Sequence, residues 1–142
     1  MGKSSFIILV YIFSTFSLFS QSKDEMEVRA LLDLQTKEWN KGNIPAFMET
    51  YWKSDSLMFI GKSGLTYGWK KTLDNYNKNY PDKVAMGKLK FELLQVKRLS
   101  STHFFVVGKW HLTRSIGDVG GIFSLLLTKV GNRWVIIADH TS

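Results

Sequence analysis

The end of the chain holds the side chains that are best suited to chemistry. A turn signal at Gly131–Asn132 precedes a run rich in β-branched and aromatic residues, which ends in Asp139, His140, Thr141 and Ser142. Imidazole titrates near neutral pH, so His140 is the candidate acid or base of this chain. An acid, an imidazole and hydroxyl groups tolerate burial only with partners or beside water, so this strand end faces bonded neighbours or a wet cavity.

The sequence argues against metal, thiol and phosphate chemistry. The chain has no cysteine, and His103, His111 and His140 lack the spacing of metal ligands. No nucleophile-elbow motif surrounds a serine. The glycine-rich stretch 116–121 joins two predicted antiparallel strands, whereas phosphate-cradling loops precede a helix. We therefore predict no metal and no cofactor.

The elements that must position these groups follow from hydrophobic periodicity. Apolar residues at helical spacing, with capping residues and stop signals, predict helices over 23–41, 43–55 and 69–80. Period-two alternation predicts strands over 57–60, 65–67, 89–99, 102–114, 122–130 and 134–142. On the strand 102–114, alternation points Trp110 and Arg114 toward the helices. Helices followed by a long antiparallel meander indicate an α+β fold, with the helices on one face of the sheet.

The N-terminus has the pattern of a secretory signal peptide over residues 1–22. Lys3 supplies the charge, and the apolar run Phe6–Phe13 is too short to span a bilayer. An uncleaved membrane anchor is the alternative. We expect an exported domain over 23–142, periplasmic or secreted, with no membrane contact after cleavage. The full chain has a net charge of +7 without a Lys/Arg run longer than two, so nucleic-acid binding is not expected.

Five motifs resemble a known family and cover nearly all of residues 23–142 in the expected order. They are Trp39–Asn43, the hairpin Gly61–Gly68, Gly108–Leu112, Gly120–Ser124, and Gly131–Trp134 with Asp139–Ser142. The chain resembles the SnoaL-like members of the nuclear-transport-factor-2-like superfamily, and among them the domain of unknown function 4440 group. Its ending is also similar to the association domain of calmodulin-dependent kinase.

The resemblance implies a cone-shaped α+β barrel, in which a strongly curved antiparallel sheet wraps around three helices. The mouth of the cone would hold a small molecule, and the face with Trp134, Ile136 and His140 would look inward. The outer face of such sheets often forms a dimer. We therefore expect a homodimer through outward apolar residues, namely Val135, Ile137, Phe105, Val107 and Leu126.

Within that cone, His140 and Arg114 are the candidate catalytic residues. His140 is either an acid or base, or a hydrogen-bonded histidine that holds the strand end to the first helices. Arg114 would bind a carboxylate or enolate oxygen. No acid falls convincingly inside, since Asp55 suits a turn, Asp74 lies off its helix's apolar stripe, and Asp139 alternates outward.

Aromatic side chains would form the wall of the predicted pocket. For the tryptophans, core packing competes with ligand stacking, and Gln35 is interpreted as a boundary residue bonded to a loop or as a pocket ligand. The predicted pocket-lining residues are Gln35, Trp39, Tyr51, Phe59, Trp69, Tyr76, Trp110, Phe123 and Trp134.

Two functional hypotheses remain open, because the superfamily contains both enzymes and binding modules. The first is an exported small-molecule-binding domain with an aromatic-lined pocket, whose ligand is apolar or polar-headed. The alternative is a ketosteroid-isomerase-like or SnoaL-like isomerase, cyclase or hydrolase that uses His140 as acid or base.

Overall fold

The computed structural model describes the backbone of residues 11–142 and the side chains of residues 23–142. The predicted signal peptide, 1–22, lies outside the fully described part. The helices are α1 (Tyr11–Asn40), α2 (Ile44–Met48), α3 (Trp69–Asn79) and α4 (Lys83–Met86). The strands are β1 (Met58–Gly61), β2 (Gly64–Tyr67), β3 (Lys88–Arg98), β4 (His103–Thr113), β5 (Val119–Val130) and β6 (Arg133–Thr141). Within residues 11–142, no helix has the length and apolar character needed to cross a membrane.

The strands form one six-stranded sheet in the order β2-β1-β6-β5-β4-β3, and helices pack on one face of it. This arrangement confirms the α+β class. The sheet is mixed rather than purely antiparallel, because β1 runs parallel to β6. On β4 the predicted alternation is confirmed: Phe104, Val106 and Leu112 are buried, whereas Phe105 and Lys109 are exposed.

A β-bulge interrupts β6 at Ile137. Leu127 of β5 pairs with Ile136, but the next partner, Leu126, pairs with Ala138, so Ile137 is an extra residue. One extra residue exchanges the two faces of everything that follows it in the strand. The alternation that the sequence suggests therefore fails beyond Ile136.

The bulge reverses the predicted positions of the two titratable residues in β6. Asp139 is buried on the inner face, with 4% of its surface exposed, and His140 is exposed on the outer face. The prediction of an inward His140 and an outward Asp139 is therefore wrong. Val135 lies on the outer face as expected, but the chain itself already buries it to 8% exposure, so it does not depend on a second subunit for cover.

The structure also moves the ends of two predicted elements and adds a helix. The helix expected over 43–55 ends at Met48, because the chain then bridges to β6 through hydrogen bonds from Trp52 N to Ile136 O (2.9 Å) and from Ile136 N to Thr50 O (3.0 Å). The glycine-rich stretch 116–121 is not wholly a loop, because β5 begins at Val119. The unpredicted helix α4 begins where Asp82 accepts a hydrogen bond from Ala85 N (2.8 Å).

A buried carboxylate ties the described beginning of the domain to the sheet. Asp24 of α1 accepts hydrogen bonds from Lys129 Nζ (2.7 Å), Arg98 Nη1 (2.9 Å) and Trp134 Nε1 (3.4 Å). Burial alone would raise the pKa of Asp24, but the bonds from Lys129 and Arg98 outweigh it and hold the pKa below its usual value. Asp24 thus joins α1 to three strands.

Candidate functional site

A buried acid lies at the centre of the inner face. Tyr51 donates its hydroxyl to Asp139 Oδ2 (2.7 Å), and Thr141 donates its hydroxyl to Asp139 Oδ1 (2.7 Å). Tyr51 is 3% exposed and reaches Asp139 from the segment after α2. Each carboxyl oxygen therefore has one protein donor and a remaining lone pair.

Burial sets the protonation of this group. It raises the pKa of Asp139, and the donors Tyr51 and Thr141, with the charge of His140, offset the rise only in part. Burial, together with the negative charge of Asp139, also raises the pKa values of Tyr51 and Tyr76 well above their usual range. The two phenols therefore remain neutral hydrogen-bond donors, and Asp139 gains a proton more readily than an exposed aspartate does.

Aromatic rings surround this acid on the helical side, and we call them the aromatic cluster. Tyr76 of α3 contacts three other members of the cluster. Its ring centroid lies 5.3 Å from that of Phe47, 5.6 Å from that of Phe59 and 5.9 Å from that of Trp39. Most contacts are edge-to-face, the favoured geometry for such rings. The members of the cluster are Trp39, Phe47, Tyr51, Phe59, Tyr76 and Tyr80.

A second aromatic group lies on the sheet side of the interior. Phe91 and Phe123 have ring centroids 5.1 Å apart, and Phe91 lies opposite Trp110 in the β3–β4 pair. Phe123 lies opposite Thr141, the donor to Asp139. On the inner face, Phe91, Phe123 and Thr141 therefore connect Trp110 to Asp139.

The two candidate catalytic residues lie elsewhere. The exposed His140 does not face the interior that it was predicted to serve, because of the bulge at Ile137. Arg114 donates Nε to Gly117 O (2.8 Å) and Nη1 to Ala85 O (3.3 Å), so its side chain ties the β4–β5 turn to α4. Its positive charge partly offsets the burial that raises the pKa of Tyr80, a member of the aromatic cluster.

Six of the nine predicted pocket-lining residues lie in the two aromatic groups, and three do not. Trp39, Tyr51, Phe59 and Tyr76 meet in the aromatic cluster, and Trp110 and Phe123 are each neighbours of Phe91 on the sheet. The others have structural partners. Gln35 donates to Thr50 Oγ1 (2.8 Å), Trp69 Nε1 to Met48 O (2.8 Å), and Trp134 lies against Phe104 with ring centroids 5.0 Å apart.

Sequence reasoning missed Asp139, Thr141, Phe47 and Tyr80. Phe47 falls within the predicted helix 43–55 and was not assigned to the pocket, and Asp139 was excluded by an alternation that the bulge breaks. The one available signal was the polar end of β6, whose acid and hydroxyls needed partners. Among residues 23–142, no three His, Asp or Glu side chains lie together in a way that would hold a metal ion.

Two open surface clefts lie away from Asp139. One follows the start of α3, and the other crosses β3, β4 and β5. Their linings are Asp55, Tyr67, Gly68, Lys70, Lys71, Asp74 and Asn75, and Lys90, Glu92, Lys109, Trp110, His111, Gly120, Gly121 and Ile122. The titratable side chains that line both clefts are exposed, so the buried acid and its aromatic surroundings remain the more distinctive site.

Comparison with known proteins gives matches among solved structures. No family model and no curated protein sequence matches the chain. An NTF-2-like protein of unknown function from Shewanella oneidensis is 41% identical, with a TM-score of 0.79, over 85% of this chain and 98% of that one. A ketosteroid isomerase-like protein from Erwinia carotovora is 19% identical (TM-score 0.64), over 82% and 93% of the two chains. A putative calcium/calmodulin-dependent protein kinase II association domain from Xanthomonas campestris is 18% identical (TM-score 0.63), over 82% and 84%.

Proposed function

The chain belongs to the nuclear-transport-factor-2-like superfamily, and we propose that it binds a small, mainly apolar molecule between its sheet and its helices. The α+β cone implied by the sequence resemblance is thereby confirmed, whereas the SnoaL-like and domain of unknown function 4440 assignments belong to the proposal. The observation that supports binding is Asp139, a buried acid with a raised pKa among aromatic rings. A few polar groups within an apolar interior are typical of ligand sites.

In this proposal the ligand lies against the aromatic cluster and presents a polar atom to Tyr51 or Asp139. A proton-transfer enzyme is the second candidate, and the same Asp139 favours it. A carboxyl group with a raised pKa beside neutral phenols is suited to moving a proton next to a carbonyl group. In the isomerase, cyclase or hydrolase alternative, Asp139 therefore replaces His140 as the candidate acid or base.

Export and dimer formation complete the proposal. The residue pattern of 1–22 supports export to the periplasm or the medium. Apolar residues on the outer face of the sheet support a homodimer, since Phe105 and Ile122 remain 37% and 44% exposed beside the half-buried Val107 and Leu126. Sedimentation at several concentrations tests the dimer. Mass spectrometry of the chain tests signal-peptide cleavage, because the cleaved and uncleaved forms differ in mass.

The binding proposal is tested by NMR titration with phenol, indole and acetophenone. We expect shifts concentrated on inner-face amides, and weaker binding in Asp139→Asn. His140→Ala is the matched control, because it changes the next residue of the same strand on the opposite face and should bind as the wild type does. Perturbations confined to the outer face, or equal effects of the two substitutions, would refute a site at Asp139.

A further inference from the structure

One buried donor on the inner face has no protein partner. Among the side chains of residues 23–142, the indole nitrogen Nε1 of Trp110 is the buried polar atom without an acceptor in hydrogen-bonding range. The indole N–H groups of Trp39, Trp69 and Trp134 each have one. An N–H group that is buried without an acceptor destabilises the fold. The presence of such a group at Trp110 therefore needs an explanation.

This N–H lies between an aromatic residue and the main chain of the neighbouring strands. Trp110 lies between Phe91 on β3 and Gly121 on β5. A methyl group added at Gly121 would stand 3.1 Å from Trp110 Nε1 and would overlap the carbonyl oxygen of Ser142. The glycine thus leaves room for the indole nitrogen, beside the main chain that follows Thr141.

We propose that Trp110 recognises the ligand of this domain by donating its indole N–H to an uncharged carbonyl oxygen. The inference rests on the proposed function, since it assigns the ligand class of the same interior. A neutral oxygen fits because the neighbours on this face, Phe91 and Phe123, are aromatic and offer no counter-charge. The apolar part of the ligand then extends along Phe123 toward Thr141 and Asp139.

A matched pair of probes tests this hydrogen bond. Acetophenone and α-methylstyrene have nearly the same shape, but only the first has a carbonyl oxygen in place of a methylene group. The protein is labelled with ¹⁵N at its five tryptophan indoles, and Trp110→Phe identifies the Trp110 signal. We expect acetophenone to move that indole signal downfield and α-methylstyrene to leave it nearly unchanged.

Affinities give the second measurement. The ratio of acetophenone to α-methylstyrene affinity should fall about three- to tenfold in Trp110→Phe, which keeps an aromatic ring and removes the donor. Trp69→Phe is the control, because its N–H already bonds Met48 O and its loss should leave the ratio unchanged.

The outcomes separate the two proposals. If both probes bind on the inner face and Trp110→Phe leaves their affinity ratio unchanged, the role of Trp110 is refuted and binding stands. If neither probe perturbs the inner face, the proposed binding function fails and the role of Trp110 fails with it.

Discussion

The hydroxyl of Tyr51 donates to Asp139 Oδ2 at 2.7 Å, between residues 88 positions apart in the chain. The bond joins the segment after α2 to the closing strand, next to the point where Tyr51 also bridges the backbone of Ile136. A phenol and an acid buried together in this way fix each other's protonation state. The protonation states of Tyr51 and Asp139 therefore depend on the packing of the segment after α2 against β6.

Tyr51→Phe should destabilise the fold by about 1–3 kcal/mol, since it leaves a buried acid with one donor fewer. It should also raise the pKa of Asp139 further, because Tyr51 is the first of the groups that lower it. Urea denaturation gives the free energy, and carboxyl ¹³C NMR gives the pKa. Tyr67→Phe, at an exposed position, is the control. An unchanged Asp139 pKa would contradict the bond.

Asp139→Asn should remove a pH dependence in which the protein loses stability as the pH rises. Burial raises the pKa of Asp139, so the folded state holds its proton more tightly than the unfolded state does. That contribution is complete below the unfolded pKa of about 3.9 and is lost as the pH rises through the folded pKa, at about 1.4 kcal/mol per unit of difference. The stability of the wild type relative to Asp139→Asn should fall across this window in urea titrations.

Asp24 should show the opposite sign. Its pKa is lowered in the folded state, so its contribution is present above an unfolded pKa of about 3.9 and is lost as the pH falls through the folded value. Asp24→Asn should cost about 1–3 kcal/mol at neutral pH, between the values for exposed and buried pairs, since Arg98 and Lys129 still reach solvent. Asp74→Asn, in an exposed pair with Lys70, should change little.

Most of the fold could be predicted because periodicity records which face of each element is buried. β4 alternates without interruption, so Phe104, Val106 and Leu112 are buried on the face that the alternation assigned to Trp110. The end of α2 could not be found in this way. Its apolar stripe continues through Tyr51 and Trp52, and only the bridge to Ile136 shows that these residues have left the helix.

The candidate site was less predictable because it depends on a single extra residue. Nothing in the types of Ile136, Ile137 and Ala138 marks a bulge, since both isoleucines favour a regular strand and Ala disfavours one only weakly. Residue types singled out Trp39, Tyr51 and Tyr76, whose rings meet in the aromatic cluster. The acid at its centre required knowledge of the pairing of β5 with β6.

Gly108→Ala should disturb the interior selectively, because the inner face is built around this glycine. A methyl group there would overlap the ring of Phe123 and stand 2.8 Å from Glu92 O. Overpacking of this kind costs about 1–3 kcal/mol, and moving Phe123 would shift the contact with Thr141 that supports Asp139. Gly131→Ala is a control with open space around the new methyl group, although its positive φ adds backbone strain. Denaturation should show destabilisation in both variants, whereas weakened probe binding and altered Asp139 titration should appear in Gly108→Ala alone. Equal binding in the two variants would mean that Phe123 does not shape the site.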